Sequence, residues 1–200
     1  EAIKDAGASK IVVGEMPKGT EDILNKAKEL SVPIDYSDKI TALSDAYTNL
    51  ENSKKQYKQV TNPTEEFVIQ RLLTVDDIVD ARAVTEDQDP NGNLHKEGGY
   101  TATIYFESKK VNQSKVYTSG EYDDVLIDKG TDAGGAIEVY AKEEDAEKRQ
   151  EYLATYDGTI FANGTHTVIG TVLVRTSNEL TASQQKELEQ KVIKALTKLE

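Results

Sequence analysis

Side-chain oxygens at alternate positions of Asp87-Gln88-Asp89-Pro90-Asn91-Gly92-Asn93 make this the stretch of the chain best suited to hold a hard cation. An EF-hand loop takes oxygens from its first, third and fifth positions, a glycine at the sixth, a carbonyl at the seventh and a bidentate Glu at the twelfth. Asp87, Asp89, Asn91, Gly92 and Asn93 match the first half, and Ca2+ is the ion they would take. The second half departs: Gly98 stands twelfth, Glu97 falls one place early, and Pro90 stiffens the loop between ligands. The same residues also spell a turn between strands, with Pro90 fixing φ and Asn91-Gly92 accepting left-handed geometry. A structural cation at Asp87, Asp89, Asn91 and Asn93 and a plain turn are both readings of this loop.

A second acidic turn runs from Asp128 through Gly130 to Asp132, with Glu121, Asp123 and Asp124 before it. A solvated loop is the simple account of such a cluster. If folding brings it beside Asp87, a shared site gains support, and a metal- or carboxylate-dependent hydrolase using both sets of acids with His95 or His166 becomes the competing class. Those two histidines are the only ones, and neither sits in an HExxH pattern. Thr118-Ser119-Gly120 and Arg175-Thr176-Ser177 lack the glycine-framed elbow of a serine nucleophile, and no glycine run has phosphate-cradling spacing. No catalytic residue is assigned. Aromatic binding has more to work with, because the chain holds ten tyrosines, three phenylalanines and no tryptophan. Tyr100, Tyr117, Tyr122 and Tyr156 flank expected loops, where rings stack on sugars or peptides, whereas Tyr105 and Tyr140 read as core or sheet-face residues.

Composition narrows the partners. Thirty-six acidic against 24 basic residues give a formal charge of -12, which repels phosphate backbones and anionic membrane surfaces, so nucleic acid is not an expected partner. The absence of cysteine excludes disulfides, thiolate metal sites and thiol catalysis. No window approaches the roughly 18 apolar residues of a membrane span. The chain begins at Glu1 and not at Met, which leads us to expect an upstream segment.

The elements that must position these residues follow from periodicity and caps. Glu21 to Leu30 carries Ile23, Ala27 and Leu30 at helical spacing behind Thr20, and Pro33 terminates it. A second helix starts near Ser37, with Ile40, Leu43, Tyr47, Leu50 and Tyr57 on a three-four repeat that Lys54 interrupts. This hairpin could pack on itself, on the main domain or on another chain. Ile11-Val12-Val13 suggests a short strand. Asn62 and Pro63 open a short helix to about Leu73, and β-rich runs follow at Ile78 to Thr85 and Thr101 to Phe106, with a short edge strand at Val125 to Ile127. Gly134-Gly135 lets the backbone enter the sheet closely, and Gly135 to Ala141 is a strand running into the acidic-first helix that starts at Glu143. Thr167 to Arg175 is the longest β-branched run and reads as the central strand. Thr181-Ala182-Ser183-Gln184 is a capping-box start to the final helix, which buries Leu188, Val192, Ile193, Leu196 and Leu199.

This order predicts an α+β fold. A mostly antiparallel sheet of four or five strands has helices packed mainly on one face, ferredoxin-like in style, and a helical hairpin precedes it. The helical segment is expected over residues 1–60 and the α+β domain over 61–200.

Ala83 to Gly92, Glu97-Gly98-Gly99-Tyr100 and Asp128 to Gly135 together resemble a family of uncharacterised lipoproteins exported by Gram-positive bacteria. Glu143 to Glu147, Gly170 to Arg175 and Leu180 to Gln184 extend the resemblance, which covers about Thr61 to Leu196. It implies an export signal, a lipidated cysteine upstream of Glu1 and an extracellular, cell-surface location with membrane attachment only through that lipid anchor. It implies no activity. The expected role is a non-enzymatic binding or scaffold domain for an extracellular ligand or surface protein, and oligomerisation through the N-terminal helices is a third alternative.

Overall fold

The computed structural model describes residues 18–159 and 164–199. The chain divides into two compact units, Glu1–Tyr47 and Thr48–Glu200. Helix α1 (Thr20–Ser31) lies in the first, and α2 (Ser37–Gln59) runs through the boundary. Gly19 caps α1, one residue ahead of the expected Thr20. Neither helix buries a residue, and the three-four seam of Ile40, Leu43, Tyr47, Leu50 and Tyr57 is exposed along its length. The strand expected at Ile11-Val12-Val13 lies outside the described residues.

The second unit holds α3 (Glu65–Leu72), β1 (Ile78–Ala83), β2 (Tyr100–Ser108), α4 (Val125–Lys129), β3 (Gly134–Tyr140), α5 (Glu143–Ala154), β4 (His166–Ile169), β5 (Val172–Thr176) and α6 (Ala182–Thr197). Its strands form one five-stranded sheet in the order β1-β2-β3-β5-β4, and every neighbouring pair is antiparallel. This is the α+β architecture that the order of elements predicts. Helix α5 does lead from β3 to a strand of the same direction, but β5 returns between them, so no parallel pair forms.

Three local expectations are corrected. The β-branched run from Thr167 to Arg175 is not one strand but the hairpin β4–β5, folded at Gly170-Thr171. Gly170 has φ +57, and a Cβ there would meet the Val60 carbonyl oxygen at 2.6 Å, so glycine meets both a backbone and a space requirement. Val125 to Ile127 is helical, because the Asp124 carboxylate accepts the N–H groups of Leu126 at 2.9 Å and Ile127 at 3.4 Å and caps α4. Thr64, not Asn62, caps α3, with its hydroxyl accepting Phe67 N–H at 3.2 Å.

Strand alternation divides the core between the two faces of the sheet. On one face Ile104, Phe106, Ile137, Val139, Val172 and Val174 meet Val68 and Leu72 of α3 and Leu188, Val192 and Leu196 of α6. Each such side chain, taken fully out of water, contributes roughly 1.5–3 kcal/mol. The capping box at Thr181 and Gln184 starts α6 as the sequence predicts. The opposite face carries two smaller apolar patches. Tyr105 and Ala136 pack with Leu126 and Ile127 of α4, while Tyr140 and Leu173 pack with Ala146 and Leu153 of α5. Glu138 stands on β3 between Ala136 and Tyr140, so the face turns polar where those patches part.

Candidate functional site

A cleft of about 670 Å³ opens over this polar gap, wholly within the second unit. Tyr105 of β2 and Arg175 of β5 line its sheet side. Arg149, Tyr152, Leu153 and Tyr156 come from α5 and the turn after it, and Ser119, Glu121, Tyr122 and the residues from Ile127 to Asp132 form the facing wall. Gln88, Pro90 and Asn91 reach it from the loop before β2. The two acidic turns read from the sequence therefore border one cleft, although Asp87 and Asp89 themselves do not line it.

Beneath the cleft lies a charge cluster that only the three-dimensional register creates. Glu138, 2% exposed, accepts Arg175 Nη1 at 2.7 Å on Oε1. Its Oε2 accepts Arg149 Nε at 3.2 Å and the Tyr140 hydroxyl at 2.8 Å. Burial pushes the Glu138 carboxyl up, but the two guanidiniums and the Tyr140 hydroxyl outweigh it and hold the acid below its ordinary value. One carboxylate thus faces two cations. The Arg175 side chain is 9% exposed, and its buried Nε finds no acceptor among the described residues. Removing a donor from water without a partner costs about 1–3 kcal/mol, a cost the fold carries at this guanidinium.

Around these cations sit groups with unused hydrogen-bonding capacity. The Tyr105 hydroxyl makes no hydrogen bond among the described residues, and burial pushes it up to about 12, so at neutral pH it is a donor. Its ring lies against Gly130, where φ is +57 and an added Cβ would stand 3.7 Å from the Tyr105 Cζ. Arg149 also sits over Tyr152, 5.4 Å from the ring centroid, and Tyr152 meets Tyr156 edge-on at 5.4 Å with hydroxyls 2.9 Å apart. Asp132, like Glu121, is an uncommitted acid of this wall. No hydrogen bond to its carboxylate is present among the described residues, and burial together with Glu179 raises it above the ordinary carboxylate range against the pull of Arg175. Asp128 is committed: it accepts the Ser119 hydroxyl and Gly120 N–H at 2.9 Å, which lower it.

The loop from Asp87 to Asn93 is built around Asp89. Its Oδ2 accepts the backbone N–H groups of Asn93 at 2.6 Å and Leu94 at 2.9 Å, while Oδ1 accepts Asn91 N–H at 3.0 Å and the Tyr100 hydroxyl. Burial raises Asp89, yet these four donors outweigh it and leave the carboxyl below its ordinary value. A ring of N–H and O–H dipoles turned on a carboxylate occupies the lone pairs that a cation would need. Asp87 accepts the Thr85 hydroxyl at 2.6 Å, and Asn91 donates from Nδ2 to the Tyr100 hydroxyl at 3.4 Å. Among the described residues no group of three or more His, Asp or Glu side chains is placed to hold a metal ion.

Of the tyrosines singled out for binding, Tyr122 and Tyr156 line the cleft, Tyr117 is 80% exposed outside it, and Tyr100 is buried edge-on to Tyr140 at 6.0 Å. Tyr105, expected as a core or sheet-face residue, is buried on the sheet against Leu126 and Ile127 and also lines the cleft. The histidines are elsewhere: His95 Nδ1 lies 2.8 Å from Glu86, and His166 Nε2 lies 3.2 Å from Asp157. Glu138, Arg149 and Arg175 went unrecognised in the sequence. The available signal was a lone acid inside the apolar strand Gly135-Ala136-Ile137-Glu138-Val139-Tyr140 and a lone cation closing the run before Thr176. Comparison with family models, with curated proteins and with solved structures returns no match for this chain.

Proposed function

We propose that this protein is a non-enzymatic binding domain whose cleft takes a small ligand carrying an anionic acceptor group. The observation that carries the reading is Arg175: a nearly buried guanidinium at the cleft, sharing one carboxylate with Arg149 and holding an Nε without an acceptor among the described residues. The Tyr105 hydroxyl and the Tyr152–Tyr156 pair add a donor and an aromatic wall to the same cleft. A concave site with a few converging polar groups is what small-molecule recognition requires. The resemblance to exported lipoproteins supports an extracellular, cell-surface setting. Titration of 15N-labelled protein with phenylacetate tests the binding reading. Amide shifts confined to the residues around Gly130, Asp132 and Arg175 are expected, and no shift at millimolar ligand would overturn it.

A hydrolase centred on Asp87 and Asp128 has less support, because both carboxylates are committed to Thr85, Ser119 and Gly120 and the histidines pair with other acids, His95 with Glu86 and His166 with Asp157. Self-association through α2 is the one other reading with its own observation. Its exposed seam repeats every three and four residues, as a two-stranded coiled coil requires. Sedimentation of the full chain beside a Leu43→Asp/Leu50→Asp variant tests it: a dimer that the variant dissociates supports the reading, and identical monomers refute it.

A further inference from the structure

The cleft is charged in two opposite senses on two walls. Arg149 and Arg175 reach it from α5 and β5 over a single buried acid, whereas Glu121, Asp128 and Asp132 face it from the segment before β3, where Lys129, donating to Gln113 at 3.1 Å, is the one cation among three acids. Both Arg175 and Asp132 line the cleft, and no ion pair within bonding distance joins them. A ligand with an anion alone would satisfy Arg175 and leave Asp132 in a partly desolvated place without a cation. A ligand with a cation alone would do the reverse.

We infer that the cleft binds a zwitterionic amino compound, an amino acid or short peptide, with its carboxylate against Arg149 and Arg175 and its ammonium toward Asp132. This rests on the anion-binding reading above and adds the second charge. Guanidinium is matched to carboxylate by its planar fork of donors, and Arg175 has donor capacity left after Glu138 takes Nη1. The Tyr105 hydroxyl, a donor at neutral pH, supplies a further bond to the same anion. An ammonium carries three donors and no acceptor, which suits a carboxylate such as that of Asp132, otherwise unbonded among the described residues. A side chain on the ligand then meets Tyr152 and Tyr156, whose rings present apolar edges and faces beside Arg149. The cleft's 670 Å³ exceeds what one amino acid fills and leaves space for a second residue or for water.

Calorimetric titration of the full chain with three probes separates the two charges: phenylacetate has the carboxylate and ring, phenylalanine adds the ammonium, and phenylalaninamide removes the carboxylate charge. The expected order is phenylalanine tighter than phenylacetate by about tenfold or more, equivalent to about 1.4 kcal/mol, with phenylalaninamide the weakest. In Asp132→Asn the advantage of phenylalanine over phenylacetate should vanish, with phenylacetate binding no more weakly than to the parent because a like charge has left the cleft. The Asp132 side chain has no structural bond among the described residues, and circular dichroism of the variant confirms that the comparison is made on folded protein. Equal binding of phenylalanine and phenylacetate by the parent protein would overturn the zwitterion inference and leave the anion reading intact. Binding of phenylalaninamide as tightly as phenylalanine, or of none of the three, would overturn both.

Discussion

Glu138 on β3 and Arg175 on β5 bond at 2.7 Å although they are not register partners: Arg175 stands opposite Ala136, and Glu138 lies two residues further along, on the same face. That diagonal is within reach of long side chains and lets one acid serve a strand neighbour and a helix at once, since Arg149 descends from α5 onto its other oxygen. The cluster is a poor source of stability, because desolvating three charges offsets much of their attraction. Its position under a cleft gives it a different use.

Breaking the cluster at one member should be costly. Glu138→Gln leaves two guanidiniums without a counter-charge, and we expect a loss of about 3–5 kcal/mol in urea unfolding at pH 7. Replacing all three ions together, as Glu138→Leu/Arg149→Met/Arg175→Met, should recover most of that loss. It should also abolish phenylacetate binding, which separates the cluster's binding role from its structural one. A triple variant no more stable than the single one would show that the ions hold the sheet face together.

Acid should unfold the protein from just below the ordinary carboxylate range. Glu138 and Asp89 are held below their ordinary values, and so is Asp77, whose Oδ2 accepts Lys191 Nζ at 2.6 Å. A depressed folded pKa stabilises above the unfolded value, about 4.3 for Glu and 3.9 for Asp, and that contribution is lost as pH falls through the folded value. Asp132 has the opposite sign: raised on folding, it stabilises at low pH and weighs against the fold as pH rises through its folded value. Asp132→Asn should therefore raise stability at pH 7 and change little below about pH 3.5, a crossing visible in unfolding curves at the two pH values.

The elements that periodicity and caps specify were legible, and the charges between strands were not. Thr181 with Gln184 announces α6 because a capping box is local, and β2 and β3 announce themselves because alternation is local. Gly170 looked like one residue in a long β-branched run, since neither its positive φ nor the Val60 carbonyl that leaves no room for a Cβ is marked by the residues around it. Val125 to Ile127 has strand-like composition, and one capping carboxylate from Asp124 outweighs it. The cleft depends on Arg149, Glu138 and Arg175 converging from a helix and two strands, which no spacing in the chain encodes. The acidic loops were visible, and residue types alone left a cation site and a plain turn both open for the first, because the N–H groups that turn on Asp89 belong to the backbone.

Asp89 should behave as the organiser of its loop. With four donors turned on it, Asp89→Ala strands the amides of Asn91, Asn93 and Leu94 and the Tyr100 hydroxyl, for a loss of about 1–3 kcal/mol. Because those donors fill the carboxylate's lone pairs, millimolar calcium should leave the thermal midpoint of the parent protein unchanged. A calcium-dependent rise, abolished in the variant, would mean that the loop rearranges to coordinate the ion.

Gly135 connects packing to the cleft through space and not through backbone conformation. A Cβ there would fall 2.2 Å from Phe106 Cζ and 2.3 Å from the Arg175 carbonyl oxygen, too close for either to stay in place. The Phe106 ring belongs to the fully buried core on one face, and the Arg175 backbone carries the guanidinium on the other. Gly135→Ala should accordingly lower stability by about 1–3 kcal/mol, as overpacked cores do, and weaken phenylacetate binding with it. Gly158→Ala is the control: with φ +73 and nothing among the described residues within 4 Å, it costs about 1 kcal/mol of backbone strain and should leave binding untouched. If Gly135→Ala lost stability and kept full affinity, β5 would have yielded without moving Arg175, and the tie between strand packing and the cleft would be broken.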